Sequence, residues 1–406
     1  MSRTEAVSIP RPRTTRALLL DRSFGPWFWG ALISNSGTWL YNVVAAVVMF
    51  ELTGSALFVG FVSVAQFAAL VVMSPWAGAL SDRHDRRRIA LLGQSFAFVA
   101  SVAVTIPALT VGVEALGPAA ILVATLAIGL GRGFAEPAMA SLVPALVDDR
   151  DLESAVSLNS LTYSGGRALG PTAAGVLLVA LGPGIAFAVN AATFLAHIAA
   201  LATVRLRPQE APSGDRSVRA ALRHVRDDRT LFVLLGGIAA VGFASDPVIT
   251  LAPSLARLLG GGDGLVAAFV GTFGASAVVG GLVSGALQRK LGSLRVAKTG
   301  MITMAIGLVV AATAPRGWGA LVGFAVTGVG FVLGLTGFTS LLQRRVPEAL
   351  RGRIMALWMV AFLGNRPLAA LLHGGAADVV GPRAAVGFAI AAALIGARLA
   401  RRLDDD

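Results

Sequence analysis

The sequence predicts an all-α membrane protein of twelve transmembrane helices, arranged as two pseudo-symmetric six-helix bundles. Three observations carry that expectation. Only 14% of the 406 residues are charged and 55% are hydrophobic, where a soluble domain carries about 25% charged residues. The deficit is spread along the chain, whose mean hydropathy is +0.75. Apolar stretches of about 20 residues, the length that crosses a bilayer as a helix, recur from end to end. Basic residues gather in alternate connections between those stretches.

The first polar segment, 1–25, carries Arg3, Arg11, Arg13, Arg16 and Arg22. The apolar stretch after it is about 25 residues long and lacks a small-residue cleavage site, so it reads as a first span and not as a signal peptide. Spans are expected near 26–50, 55–80, 89–111, 117–141, 155–181 and 183–204, forming an N-terminal bundle over 26–204. A basic linker, 205–229, holds seven arginines, and Ala220 to Val225 read as part of an amphipathic surface helix. The second bundle, 230–400, is expected to hold spans near 230–258, 262–288, 295–314, 317–341, 352–377 and 382–400, before a short tail, 401–406.

Of the 34 lysines and arginines, 28 fall in the tails and in connections that share one side if the spans alternate. Three fall on the other side (Arg257, Arg316, Arg383) and three inside spans (Arg132, Arg167, Arg366). The positive-inside rule then places both termini and the linker in the cytoplasm, which requires an even number of spans. In a soluble chain a net charge of +12 would suggest nucleic acid; here the bilayer is the expected partner. Arginine-rich, lysine-poor, alanine-rich usage points to a bacterial cytoplasmic membrane, and a monomer is the default for this architecture.

The composition excludes several chemistries. Cysteine is absent and the four histidines are far apart in sequence, so no metal site or cofactor is expected. The two lysines, Lys290 and Lys298, do not follow a glycine-rich phosphate loop. No cluster of nucleophiles, acids or bases suggests an enzyme.

Three motifs carry mechanism. Between spans 2 and 3 lies Gly78-Ala79-Leu80-Ser81-Asp82-Arg83-His84-Asp85-Arg86-Arg87-Arg88. Gly78 permits close helix approach. Asp82 suits a neighbouring helix N-terminus, and with Arg83, Arg86 and Arg87 it makes a charged gate. Span 5 carries Gly166-Arg167-Ala168-Leu169-Gly170-Pro171-Thr172-Ala173-Ala174-Gly175, small residues at helical spacing with a proline bend. The halves also repeat: Arg167 and Gly182-Pro183 match Arg366 and Gly381-Pro382 at a constant offset.

The first motif resembles the signature of the major facilitator superfamily, and the second resembles its antiporter motif, with Ala174 in place of one glycine. Ile33-Ser34-Asn35-Ser36-Gly37 in span 1 and Val346-Pro347-Glu348-Ala349-Leu350-Arg351-Gly352-Arg353 before span 11 extend the similarity to the branch of enterobactin-type siderophore exporters and macrolide efflux pumps. Two departures stand out: Asp85 where glycine is usual, and Thr38 where many relatives have an acid. The resemblance implies a rocker-switch transporter that exports an amphipathic small molecule in exchange for protons. Uptake on the same fold is the alternative; a membrane enzyme or receptor is more distant.

A charge at the bilayer centre costs about 2.5–3.5 kcal/mol on insertion scales, so each needs a reason. Asp246, in the middle of span 7, is the first choice for a proton-coupling carboxylate. Glu136 lies one turn after Arg132 in span 4 and can pair with it; both are further candidates. Arg167 and Arg366 are expected to face each other across the pseudo-two-fold axis on the cytoplasmic side, to attract an anionic substrate group or to pair with acids in one state only. Asn35, Tyr163, Arg366, Trp358 and Phe362 are cavity candidates, while Trp27, Trp29 and Trp39 read as an interfacial belt.

Overall fold

The computed structural model describes residues 13–81, 84–206, 224–346 and 351–403, and these are helices joined by short connections. Among the described residues, ten helices are long and apolar enough to cross a bilayer. One of them, Leu152–Thr203, breaks at Gly182 and supplies spans 5 and 6. Span 11 consists of Arg351–Leu363 and Arg366–Val380, which meet at Gly364 and Asn365. With these two cases counted, the helices fit twelve crossings.

The repeated Gly-Pro pair has a repeated geometry. Gly182 has φ 79° and ψ 172°, and Gly381 has φ 88° and ψ 155°. This region strains residues that carry a Cβ. The proline that follows is suited to the first turn of the next helix, where its missing N–H costs nothing. Several helices outrun their apolar stretches: Phe24–Thr53, Val113–Leu146 and Gly317–Arg345 each extend past the expected span.

The N-terminal tail marks one face. The Arg13 amide and Nε donate to Asp151, between spans 4 and 5, at 2.7 and 2.6 Å. Burial pushes the Asp151 carboxyl up, but the Arg13 hydrogen bonds and the charges of Arg13 and Arg150 outweigh it and hold the carboxyl below its ordinary value. On the same face Arg345, ending span 10, pairs with Asp228 at the start of span 7 at 3.0 Å. Of the linker, residues 207–223 lie outside the described residues, and with them most of the expected amphipathic helix.

The opposite, far face joins the two halves. Asp378, near the end of span 11, accepts from the amides of Ala56 and Leu57 at 2.8 and 3.1 Å and so caps the start of span 2. An added Cβ at Gly60 would lie 2.6 Å from the Ala370 carbonyl oxygen, and one at Gly374 would lie 2.4 Å from that of Ala56. Spans 2 and 11 therefore touch backbone to backbone. Spans 5 and 8 close at Gly175 and Ala267. Arg257 stacks on Phe50 at 4.8 Å, and the carboxyl groups of Glu51 and Asp263 are electrostatic neighbours.

Candidate functional site

Near the midpoints of spans 1, 2, 5, 7, 8, 10 and 11, polar and aromatic side chains from both halves converge. Trp39 is the hinge of this group. The Arg167 guanidinium lies 4.9 Å from the centre of its ring and the Arg366 guanidinium 5.6 Å from it. Arg167 also stacks on Phe273 and Phe331 across the interface, at 5.4 and 4.2 Å. Arg366 faces Phe67 of the other half at 5.1 Å and Phe362 at 5.8 Å. The two repeat-related arginines thus approach a single indole.

Their surroundings differ. Arg366 is buried and donates to Ser245 Oγ at 3.3 Å, with Asp246 within charge range. Asp246 bonds His373 Nδ1 at 2.9 Å; both are buried, and the ring of Phe243 covers the imidazole at 4.9 Å. Asp246 sits where span 7 breaks between Arg229–Ala244 and Pro247–Thr250. Arg366 opens the second piece of span 11. The cluster is therefore built on two interrupted helices, whose freed backbone is tolerated because it lies inside protein. Arg167 has no carboxylate partner among the described residues; its contacts are rings, and its charge neighbour is Arg366.

A second polar group lies within the N-terminal bundle. Arg132 pairs with Glu136 one turn on, and donates to Asn35 Oδ1 at 3.2 Å. The Tyr163 hydroxyl donates to Glu136, and Asn35 donates to Thr162 at 3.3 Å. These residues line a pocket with Trp27, Gln94 and His197. Tyr163 is 40% exposed, so this pocket opens to the outside of the protein, whereas the Asp246 cluster is sealed. His197 is buried with both ring nitrogens unpartnered.

The span-5 motif divides its work. Added Cβ atoms at Gly166 and Gly170 would meet Asn35 Cβ at 2.7 Å and the Ser36 carbonyl oxygen at 2.4 Å, so these glycines seat span 5 on span 1. Gly175 instead meets Ala267 of the other half, at 2.4 Å between Cβ positions. Pro171 is buried between the two contacts. In the gate motif, Asp82 and Arg83 lie outside the described residues, as does the side-chain environment of Gly78. Asp85 accepts from the amides of Arg87 and Arg88 and caps span 3. Arg86 donates to the Ser141 carbonyl at 3.3 Å, and Arg87 donates to the carbonyls of Leu201 and Ala202. Both arginines thus brace spans 4 and 6 of their own bundle, Arg87 at a helix C-terminus where a cation is favoured.

Residues 15–404 match the family described as transmembrane secretion effector, MFS_3. The chain belongs to this family of major facilitator transporters. The family and the relatives below are transporters and not enzymes. Enterobactin exporter EntS of Citrobacter koseri is 29% identical over 352 residues, which cover 82% of this chain and 76% of that one. Among solved structures, an inward-facing, unoccupied bacterial homologue of the lysosomal transporter Spinster superposes with TM-score 0.75 at 14% identity, covering 95% and 96% of the two chains. A bacterial homologue of the iron transporter ferroportin scores 0.71 in its inward-facing state, at 17% identity over 93% and 97% of the chains.

The tryptophan belt needs correction. Trp27 is buried at 2% exposure, and Trp39 carries two guanidinium groups; Trp29 alone of the three is half exposed. Trp39 lies one helical turn after Asn35, so the face that holds that cavity candidate also holds Trp39. Trp358 and Phe362 stack at 5.2 Å, and the Trp358 indole donates to Thr339 at 2.9 Å. Sequence reasoning missed His373, which is two turns after Arg366 on the same face. It also missed Phe67, Phe273 and Phe331, which no local pattern distinguishes from core.

Proposed function

We propose that this protein exports an amphipathic small molecule from the cytoplasm in exchange for protons, by rocker-switch alternating access. The face carrying the tails is read as cytoplasmic on the charge split, and the far-face seam is closed, so the conformation corresponds to an inward-facing state. Glu136 is the proposed proton carrier. The observation that carries this is access: Glu136 lines a pocket that opens to the outside of the protein beside Tyr163, while Asp246 is sealed with His373 and faces Arg366. A coupling group must exchange protons with one side at a time. Loss of charge on Glu136 releases Arg132, which then has Asn35 as its remaining polar partner, and the bundle can repack.

The export direction is supported by the span-5 motif and by relatives that are enterobactin exporters in enterobacteria. The bacterial cytoplasmic membrane follows as the location. The test uses inside-out vesicles carrying a pH-sensitive dye, with enterobactin and a panel of amphipathic drugs as substrates. Substrate-induced proton release is expected in the wild type, lost in Glu136→Gln and retained in Asp246→Asn. Loss in Asp246→Asn alone would move coupling to span 7. Substrate flux with no proton movement in the wild type would reject proton exchange.

A further inference from the structure

The geometry points to an anion-binding site at the centre of the molecule, for a substrate whose acid group is attached to an aromatic ring. It rests on the export reading and names the class of molecule exported. Two guanidinium groups, Arg167 and Arg366, lie 4.9 and 5.6 Å from the centre of the Trp39 ring. The acid within charge range of Arg366 is Asp246, which is already bonded to His373, and Arg167 has no acid beside it among the described residues. Among the described residues one positive charge is therefore left without a counter-charge at mid-membrane, where bare charge is costly. Arg366 Nε is buried without a partner, so a donor is free to receive an acceptor. An anion bridging the two arginines completes the site.

The walls define the rest of the ligand. Trp39, Phe67, Phe273, Phe331 and Phe362 surround the guanidiniums. Flat rings favour a planar, apolar body, which gains area burial and stacking together. Carboxylate, sulfonate or phenolate groups on such a body satisfy both features. Asp246 then acts as an internal rival: from its place on His373 it supplies the negative charge that faces Arg366 when the site is empty, and a bound acid group takes over that role. That role gives a signature that a packing role does not. Neutralising Asp246 must strengthen binding of an anion, while neutralising either arginine must weaken it.

The test is calorimetric binding to the full chain in lipid nanodiscs, with empty nanodiscs as the blank. Three probes share a skeleton: naphthalene-2-carboxylate, naphthalene-2-carboxamide and decahydronaphthalene-2-carboxylate. Wild type is expected to prefer the aromatic acid over both others by about tenfold or more. Arg167→Gln weakens the acid about 30-fold or more and leaves the amide unchanged, erasing the preference; Arg167→Lys restores part of it. Asp246→Asn tightens the acid and not the amide. Thermal melting of each variant separates these effects from misfolding. Equal binding of acid and amide by the wild type, no binding of the acid at millimolar concentration, or weaker acid binding in Asp246→Asn would overturn the inference. Failure of Glu136→Gln to abolish proton release would instead reject the coupling scheme, with the binding preference intact.

Discussion

Gly175→Ala should shift the protein toward a state open at the far face. The added Cβ would lie 2.4 Å from the Cβ of Ala267, where carbon atoms normally approach to about 3.5–4.0 Å. Neither atom is on a flexible side chain, so spans 5 and 8 must part by more than an ångström. Overpacking of this kind costs about 1–3 kcal/mol. The cost falls only on the conformation in which the two halves touch here, so the equilibrium moves by roughly 5- to 150-fold. The absence of cysteine gives a silent background for labelling. Gly271→Cys reports on the same seam, because a Cβ there meets Thr172 Oγ1 at an ordinary 3.6 Å. Asn159→Cys reports on the pocket of the opposite face. With a membrane-impermeant maleimide, Gly175→Ala should raise labelling at 271 by about tenfold and lower it at 159. A rise at 271 with no fall at 159 would be local loosening, and would refute coupled alternation. Gly166→Ala is the control: its clash with Asn35 lies within one bundle, so it should lower thermal stability without moving either reporter.

Three further outcomes follow from other contacts. Asp378→Ala removes the cap that one half places on span 2 of the other; a lost cap costs about 0.5–2 kcal/mol, so the same pair of reporters should move in the same direction, by about 2- to 30-fold, and nearly additively with Gly175→Ala. Glu136→Gln leaves Arg132 without its counter-charge and should cost about 3 kcal/mol in thermal unfolding, with Arg132→Gln on top recovering part of it; a double mutant no better than the single would show that the pair is not the source. The tie between Arg13 and Asp151 should release in acid. A carboxyl held below its unfolded value contributes its stability above that value and loses it as pH falls through the folded value, so proteolytic cleavage of the tail should rise only below about pH 3.8, and Asp151→Asn should give the same rise at neutral pH.

The architecture was legible because a bilayer imposes it. Span length, the charge split and the Gly-Pro repeat each answer to a local constraint: hydrocarbon thickness, side of insertion, and a backbone angle at Gly182 and Gly381 that a side chain would strain. The pairing of Arg132 with Glu136 was legible for the same reason, since one helical turn separates them. Contacts between distant helices were not. Asp378 caps a helix more than 300 residues away, and Asp246 finds His373 across the same half. Neither pairing leaves a spacing to read. Trp39 was misassigned because an indole near a span end and an indole at mid-height look alike in sequence until the helix length is known; Phe24–Thr53 is long enough to put position 39 at its middle.

The repeat gives the centre its symmetry, and departures from the repeat give it chemistry. Arg167 and Arg366 occupy equivalent positions, so a symmetric site would give each the same counter-charge. His373 corresponds instead to Ala174 at the same offset, and a methyl group cannot anchor a carboxylate. Span 1, the counterpart of span 7, carries a single acid, Glu51, and that lies near its far end. Arg167 is thereby left to aromatic rings while Arg366 keeps an acid within charge range. An anion entering between them meets one arginine with no acid nearby among the described residues and one whose charge Asp246 already offsets. Binding at the first and exchange at the second are thus separable steps. Arg167→Gln should slow capture of the naphthalene carboxylate, Arg366→Gln should leave Asp246 without its arginine, and Asp246→Asn should slow release. Stopped-flow measurement of the two rates distinguishes this order: an unchanged dissociation rate in Asp246→Asn would mean that the acid does not compete, and that the two arginines act as one.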